Sequence, residues 1–596
     1  MEFLFALTRV LPRDPLRGFI ALYWYITRRR VRAWNRLRYM QQQSPAFYAI
    51  WIRDVERVEQ ARLQAAANPD EGMRHPRISV VLYLDPAVAV AGHVRSIQSV
   101  TQQTYADWEL VIVPDPAAAS PVPATEPRVR HLPPAANAAS ALEAAVSAAD
   151  GEYILPLRAG DALSNAALRR FVEALNVSAM ATVLYGDEDE INSRGQRARP
   201  YFKPEWNEEM FLAQDYISTS CLIRTDAART SLPVADEFAG VAAYALLLQH
   251  LESAPQPRIV HVPHIVCHRD TTESRGLQGV RQQLVATHLR RMGSPATAAT
   301  GEFDSVRVCW PQPQVQPLVS VIVPTRDKLR LLRACLRGVL GATRYPNIEV
   351  LVVDNASVKT ATHRFFEEIQ RDSRVRVLRY PAAYNYSAIN NFAVREARGS
   401  YVCLLNNDTE ILHDDWLCEM MRQAVRPHVG AVGAKLLYAD GSIQHAGVIV
   451  GLGDAAGHAH RYLPNDKPGY FNHAHLPQYV SAVTAACLLV EKRKFLEVGG
   501  LDETHLAIAF NDADLCLKLG AAGWRNLYTP HAVLIHHESK SRRRDSRASE
   551  QSRYRSELRT LQMRWRTVGF RDPCHHPNLS RASETFQIDF RQSGRA

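Results

Sequence analysis

One stretch of this chain occurs twice. Pro76-Arg-Ile-Ser-Val-Val-Leu-Tyr-Leu84 is a short β-branched run behind a proline, and Pro317-Leu-Val-Ser-Val-Ile-Val-Pro-Thr325 repeats it 241 positions later. Each run reads as a buried parallel strand. The continuation repeats as well. A helical stretch around 92–103 and a strand at Trp108–Val113 follow the first copy, and Leu329–Leu340 and Ile348–Val353 follow the second. Gly151-Glu-Tyr-Ile-Leu155 and Gly399-Ser-Tyr-Val-Cys-Leu-Leu405 then open third strands. Strands alternating with helices make βαβ units, so each half is expected to be an α/β domain with a largely parallel, Rossmann-like sheet. The proline-rich Trp310-Pro-Gln-Pro-Gln-Val-Gln-Pro317 reads as a semi-rigid linker between them. The expected plan is a basic, partly helical extension over 1–70, one α/β domain over 71–310, a linker at 311–317, a second α/β domain over 318–545, and a basic extension over 546–596.

Charge separates the ends from the body. Residues 1–40 hold nine Arg against two acids and residues 540–596 hold fourteen Lys/Arg against six, so of a net +10 the middle of the chain keeps −5. A nucleic-acid-binding domain would carry its basic face inside a folded body, so no nucleic-acid partner is expected. Nine scattered cysteines without a CxxC pair suggest neither a zinc ribbon nor a disulfide framework and fit a reducing compartment. No run reaches the roughly 18 apolar residues of a spanning helix. The ten residues Gly18–Thr27, rich in aromatics, lead directly into Arg28, Arg29, Arg30 and Arg32. That pattern suits an interfacial helix on an anionic bilayer leaflet, or equally a helix packed on the next domain. A cytoplasmic location, peripheral at the inner face of the cytoplasmic membrane, is the expectation. Near the other end, a helix around Ser549–Val568 is expected to dock through Leu558, Leu561 and Trp565.

Ligands of open α/β sheets bind outside the carboxyl ends of the strands. In the second half those ends carry Pro324-Thr325-Arg326-Asp327, Asp354-Asn355-Ala356-Ser357 and Asn406-Asn407-Asp408-Thr409-Glu410. Asp354 can accept hydrogen bonds from a base or ribose, and Asp408 can ligate a hard divalent cation. Any one of these is often only a turn or cap, but three facing one crevice argue for a site. Phe510-Asn-Asp-Ala-Asp-Leu515 reads as a helix start: either a capped helix with acids at its positive end, or the seat of a general base. His536-His537 follows a last strand at Ala532–Ile535, where a histidine could complete a metal shell or hold a phosphate.

These segments together resemble family-2 glycosyltransferases of the GT-A fold. The resemblance covers about residues 317–545 and is narrowed by Tyr384-Asn-Tyr-Ser-Ala-Ile-Asn-Asn391, Gly433–Gly447, Ser481–Cys487 and Val498–Glu503 to the bacterial branch that builds O-antigen and other surface polysaccharides, often rhamnosyltransferases. It implies a nucleoside-diphosphate-sugar donor, a divalent metal (Mg2+ or Mn2+), a glycan or lipid-linked glycan acceptor, and inversion at the anomeric carbon. Carried over residue by residue, Asp354 matches the acid that holds base and ribose and Asn391 the asparagine of the helix over the nucleotide; Pro324, Thr325, Arg326 and Asn407, at the same strand ends, are expected to line the donor site with them. Asp408 matches the last acid of the metal motif and Asp512 the catalytic base, and His536, read from its place after the last strand, is expected to complete the metal shell. Asn406 stands where the family has the first acid of its metal motif, which lowers the number of carboxylate ligands.

Residues 76–270 resemble the same family without its chemistry. Asp115 could still approach a nucleotide, but the metal motif reads Arg158-Ala-Gly-Asp161 and Ala243 occupies the base position. This half is expected to be non-catalytic, either a binding domain for glycan or partners or plain structural support. Its acid run Asp187-Glu-Asp-Glu190 reads as a solvated loop. Two other functions compete for the whole chain. A non-catalytic glycan- or nucleotide-sugar-binding scaffold would explain Asn406, and a nucleotidyltransferase would need a glycine-rich loop where Pro324-Thr-Arg-Asp327 stands.

Overall fold

The structure is a computed structural model. It describes residues 15–27, 45–65, 74–118, 126–254, 257–270, 276–538 and 548–590, with isolated positions between 4 and 37. Arg28–Arg30, Arg32 and Arg542–Arg544 lie outside the described residues. The chain forms two compact units. One gathers 39–309 with 576–579 and 588–596; the other gathers 310–575 with 1–38 and 580–587. The two extensions therefore do not stand apart but are shared out between the units. The helix at Ala548–Trp565 buries Leu561 and packs Leu558 and Trp565 into the second unit's core.

In the N-terminal unit the strands are β1 (Ile78–Leu84), β2 (Trp108–Pro114), β3 (Val129–His131), β4 (Tyr153–Leu157), β5 (Ala162–Leu163), β6 (Val183–Ile191), β7 (Arg197–Tyr201), β8 (Cys221–Arg224) and β9 (Ile259–Asp270). They pair in the order β3-β2-β1-β4-β8-β6-β9-β5, with β7 on β6. In the C-terminal unit the main strands are β10 (Val319–Thr325), β11 (Ile348–Asp354), β12 (Val375–Arg379), β13 (Tyr401–Leu405), β14 (Thr409–Ile411), β15 (Val429–Leu437), β16 (Cys487–Glu491) and β17 (Arg525–His536). Their order, β12-β11-β10-β13-β16-β15-β17-β14, is the same path in the same sense. Four strands of each sheet run parallel. Beyond them the sheets are mixed, because β8 and β16 enter antiparallel between two parallel neighbours. An antiparallel neighbour needs no crossover helix, and the βαβ pattern in the sequence is silent about it.

The duplication extends to a hydrogen-bond lock under the first strand. Ser79 Oγ donates to Glu109 Oε1 at 2.5 Å and accepts from Gly151 N at 2.9 Å. Ser320 Oγ donates to Glu349 Oε1 at 2.6 Å and accepts from Gly399 N at 2.8 Å. A Cβ on Gly151 or Gly399 would lie 2.6 Å from that serine's backbone or Oγ, so only glycine lets the third strand approach the first. β10 and β11 are Val/Ile/Leu-rich and buried almost throughout, as a strand covered by helices on both faces must be.

Candidate active site of the C-terminal unit

β10 and β11 are in register so that Thr325 lies opposite Asp354, and both are buried. The next strand-end brings Asn407, whose Nδ2 donates to Thr325 Oγ1 at 2.9 Å. The Asp354 Oδ1 accepts from Ser357 N at 2.9 Å across a turn in which Ala356 takes φ 57°. The loop after β10 locks onto this turn. Asp327 N donates to Ser357 Oγ at 2.8 Å, while Asp327 Oδ1 accepts from Val358 N at 3.2 Å and Lys359 N at 3.0 Å ahead of the helix Thr360–Ile369. Asp327 and Lys328 pay for this with left-handed φ values of 54° and 51°, a strain held in place by the surrounding bonds. Pro324 is half-buried, and Arg326 is exposed at the strand end.

Asp408 and His536 are brought together by β14, which pairs antiparallel with the end of β17 and sets Thr409 opposite His536. Asp408 Oδ1 lies 3.1 Å from His536 Nε2. Burial alone would raise the Asp408 carboxyl, but the hydrogen bond and charge of His536 outweigh it and hold the group below the usual carboxylate range. Asn406 faces the same ring nitrogen, with Nδ2 at 3.3 Å. The cluster thus offers one carboxylate and one imidazole to a hard or borderline divalent cation, with an amide where a second acid would stand.

Asp512 is the second residue of the helix Asn511–Ala521, which starts behind Phe510 in the left-handed region. It is half-buried; Oδ2 accepts from Ala485 N at 3.2 Å and Oδ1 from Ala513 N at 2.9 Å. The backbone at Ala485–Ala486 is the bridge to the cation cluster. Asn406 N donates to Ala486 O at 3.1 Å, and the Tyr386 hydroxyl lies 3.0 Å from Ala485 O and 3.2 Å from Asn406 Oδ1. The neighbouring polar residues are otherwise engaged. Asn511 Nδ2 donates to Ser387 Oγ at 3.1 Å, and fully buried Asp514 accepts from Arg564 and Trp565, each at 2.8 Å.

Asn391 is placed differently from the donor-lining role the resemblance implies. Its Nδ2 donates to Leu501 O at 2.7 Å and its Oδ1 accepts from Leu501 N at 3.0 Å, so both ends of the amide clamp the turn at Gly500–Leu501. Three residues absent from the sequence reading belong to the site's frame: Tyr386, Gln444 and Glu557. Gln444 contacts His536 Nδ1 at 2.7 Å, and Glu557 accepts from Ile508 N and Ala509 N at 3.1 and 3.0 Å, pinning the approach to the Asp512 helix. The first two lie in the stretches 384–391 and 433–447 that carry the resemblance; nothing local marked Glu557.

In the N-terminal unit the equivalent positions are rewired. Ala162 pairs with His268 as Thr409 does with His536, and Ala243 is the second residue of the helix Ala242–Ser253 as Asp512 is of its own. Asp161 is fully buried and paired with Arg158 at 2.9 Å, while His268 turns to Asp189 at 2.6 Å. Asp115, at the end of β2, accepts from Tyr83 OH at 2.8 Å. Asp187–Glu190 is not a solvated loop: it lies in β6, and its first three acids are buried. Each is paired, Asp187 with His261 at 2.9 Å and the other two with Lys or Arg, which is what lets the strand go inside. Glu188 meets Lys203 and Arg269 at 2.8 and 2.9 Å, and Asp189 meets Arg197 at 2.6 Å. Asp187, His261 and His576 form one trio of potential metal ligands whose atoms lie within 4.8 Å of one another. Asn578 N donates to His576 Nδ1 at 2.9 Å, which leaves that ring neutral with its proton on Nε2, 2.8 Å from Asp187 Oδ2, so His576 offers no lone pair there.

The sequence matches the family described as glycosyl transferase family 2 over residues 94–232 and again over 320–451. It is 40% identical to the uncharacterized protein y4gI of Sinorhizobium fredii, covering 86% of this chain and 58% of that protein. It is 34% identical to the O-antigen biosynthesis protein RfbC of Myxococcus xanthus, covering 85% of this chain and 40% of that one. Over 39% of the chain and 78% of the relative it is 26% identical to the N-acetylglucosaminyl-diphospho-decaprenol L-rhamnosyltransferase of Mycobacterium tuberculosis. The chain spans about half the length of the first two relatives.

Proposed function

We propose that this chain, a member of glycosyltransferase family 2 through both of its halves, is an inverting, metal-dependent transferase. Its C-terminal unit moves a sugar from a nucleoside-diphosphate donor to a hydroxyl of a growing cell-surface glycan. The observation that carries this reading is the Ala485–Ala486 bridge, which ties the only half-open acid of the Asp512 helix to the Asn406–Asp408–His536 cluster. Asp354 binds base or ribose from its strand end, Thr325 and Asn407 line the same crevice, and Arg326 offers a guanidinium to the diphosphate. Asp408 and His536 would hold a divalent cation, Mg2+ or Mn2+, which when bound neutralises charge on the departing diphosphate. Asp512 takes the proton from the acceptor hydroxyl as it attacks. With base and leaving group on opposite faces of the sugar, one displacement inverts the anomeric carbon.

The N-terminal unit takes no part in the chemistry on this reading, since Arg158 and Ala243 remove its cation site and its base. The acceptor is a glycan or lipid-linked glycan, and the protein works at the inner face of the cytoplasmic membrane. Among the described residues no helix is long and apolar enough to cross a membrane. The helix Pro15–Ile26 does expose a stripe of Leu16, Phe19, Tyr23 and Ile26, each at least 58% accessible, just before the arginines at 28–32. That stripe suits shallow insertion into an anionic leaflet.

Calorimetric titration of UDP, dTDP, GDP and CDP, each with and without Mn2+, tests the donor site. Cation-dependent binding of one of them is expected. A folded sample that binds none would replace this reading with a non-catalytic glycan-binding scaffold, the alternative that Asn406 favours.

A further inference from the structure

Gln444 is buried on the short strand Ile443–His445, and its side chain bridges two groups. Its Oε1 lies 2.7 Å from His536 Nδ1, and its Nε2 donates to Glu538 Oε2 at 2.9 Å. An amide could in principle sit either way round. Glu538 decides, because a carboxylate only accepts, so the NH2 end must face it and the carbonyl end must face His536. Glu538 is itself held in place. The Tyr438 hydroxyl is 3.3 Å from Glu538 Oε2, Arg461 Nη2 is 3.5 Å from it, and Arg461 Nε donates to the Tyr438 hydroxyl at 2.7 Å.

This orientation has one consequence at the imidazole. A carbonyl oxygen 2.7 Å from Nδ1 requires a proton there, whether the ring is neutral or charged. The nitrogen that can be bare is therefore Nε2, the one 3.1 Å from Asp408 Oδ1. A bare nitrogen beside a carboxylate is a pair of ligands for one cation, whereas the opposite tautomer would aim an N–H into the site. A histidine that ligates a metal usually donates its other N–H to such a partner, and loss of that partner weakens metal affinity by about 10–100-fold.

We propose that Gln444, oriented by Glu538 and Arg461, is the positioning residue that holds His536 as the Nδ1–H tautomer and so leaves Nε2 with a lone pair, beside Asp408 and within 3.3 Å of the Asn406 amide, for a cation to use. This rests on the reading of Asp408 and His536 as the cation pair. It also gives Asn406 a rationale: a site with a single carboxylate depends more on its imidazole, and on whatever fixes that imidazole.

The test is Mn2+ binding to the full chain by calorimetry, with no nucleotide present. His536→Ala should abolish the binding, and Gln444→Leu should weaken it about 10–100-fold without lowering the metal-free melting temperature by more than a few degrees. The double swap Gln444→Glu with Glu538→Gln rebuilds the same donor–acceptor order in reverse and should restore affinity to within a few-fold of the parent. If Gln444→Leu does not fold, Glu538→Gln alone should weaken Mn2+ several-fold by letting the amide turn, and an unchanged affinity there overturns the proposal. Wild-type affinity in folded Gln444→Leu, with His536→Ala defective, would overturn it while the cation reading stands. Equal Mn2+ affinity in the parent and His536→Ala would instead remove the cation pair. The tautomer would then be read directly from long-range 1H–15N spectra of the imidazole. An Nδ1–H signature lost in Gln444→Leu upholds the positioning role, and one that persists ends it.

Discussion

Replacing Asp512 by Asn changes one charge and almost no volume, which makes it the sharpest probe of the base. Two effects are expected and they differ in size. The structural one is small: the carboxylate accepts from Ala485 N at 3.2 Å and Ala513 N at 2.9 Å, and an amide can serve only one of these well. The lost hydrogen bond costs about 1 kcal/mol of stability. The chemical effect is larger. Removal of a general base typically lowers turnover by about 10²–10⁴-fold, or roughly 3–5 kcal/mol of barrier. A perturbation worth about 1 kcal/mol would slow the reaction only about fivefold if it reached the barrier in full, so rate and stability separate the two. The assay is single-turnover transfer with the donor identified by calorimetry, alongside thermal melts and donor titration of the same samples. Donor affinity should stay within a few-fold of the parent, because no donor contact is assigned to Asp512. Turnover within tenfold of the parent in a folded variant would refute the assignment and point to an acceptor deprotonated by another group.

Other perturbations probe the remaining parts. Asp408→Asn should remove the Mn2+ dependence of nucleoside-diphosphate binding, measured by titration with and without the ion; unchanged dependence would take Asp408 out of the cation site. Asp161→Asn in the N-terminal unit should leave transfer rates within twofold, and a large loss would give that unit a catalytic part. Glu188→Gln breaks a buried pair with Lys203 and Arg269 and should cost about 3–5 kcal/mol at neutral pH, read by urea unfolding. Burial works against the Glu188 charge, but Lys203 and Arg269 prevail and hold its folded-state carboxyl at about 2, against an ordinary 4.5. Its stabilising contribution is therefore complete above the ordinary value and fades as pH falls toward the lower one, so the gap between parent and variant should shrink over that window. A gap that stays constant would show that the loss comes from packing and not from charge.

The repeat was the most legible feature, because a buried parallel strand must be written as a continuous apolar run and the chain writes two of them. The three strand ends followed from it, and with them Thr325, Asp354, Asn407 and Asp408. Pairwise geometry was less visible. Nothing in the spacing of Asp408 and His536 says that β14 will set them side by side, since that depends on a three-residue strand pairing across most of the domain. Asn391 shows the opposite limit: it lies on the helix Tyr386–Glu396, but its amide is spent on Leu501. The acids of β6 were misjudged for a physical reason. A run of four carboxylates is normally solvated, and only partners distant in sequence, Lys203, His261, Arg269 and Arg197, allow the strand to be buried.

Those same partners bear on how the two halves came to differ. Both sheets keep one strand order and one serine–glutamate–glycine lock, so the scaffold was preserved where packing demands it. At the strand ends the constraint is chemical, and there the copies part. Where Asp408 faces an imidazole that can lose its proton, Asp161 faces Arg158, whose charge cannot be withdrawn, and the histidine at the equivalent register is bonded to Asp189 instead. A guanidinium beside the last motif acid satisfies that acid without any metal ion, while the Nδ1 bond to Asp189 leaves Nε2 of His268 as the ring atom a metal could use. Restoring chemistry to the N-terminal unit would therefore take more than an acid at Ala243. Arg158→Asp must accompany Ala243→Asp, because only loss of the guanidinium frees the Asp161 carboxylate for a metal. That double change is the least set that should give this half Mn2+ affinity, measurable by calorimetry in a His536→Ala background. Absence of Mn2+ binding in the folded double variant would show that Asp161 and His268 are not poised as Asp408 and His536 are.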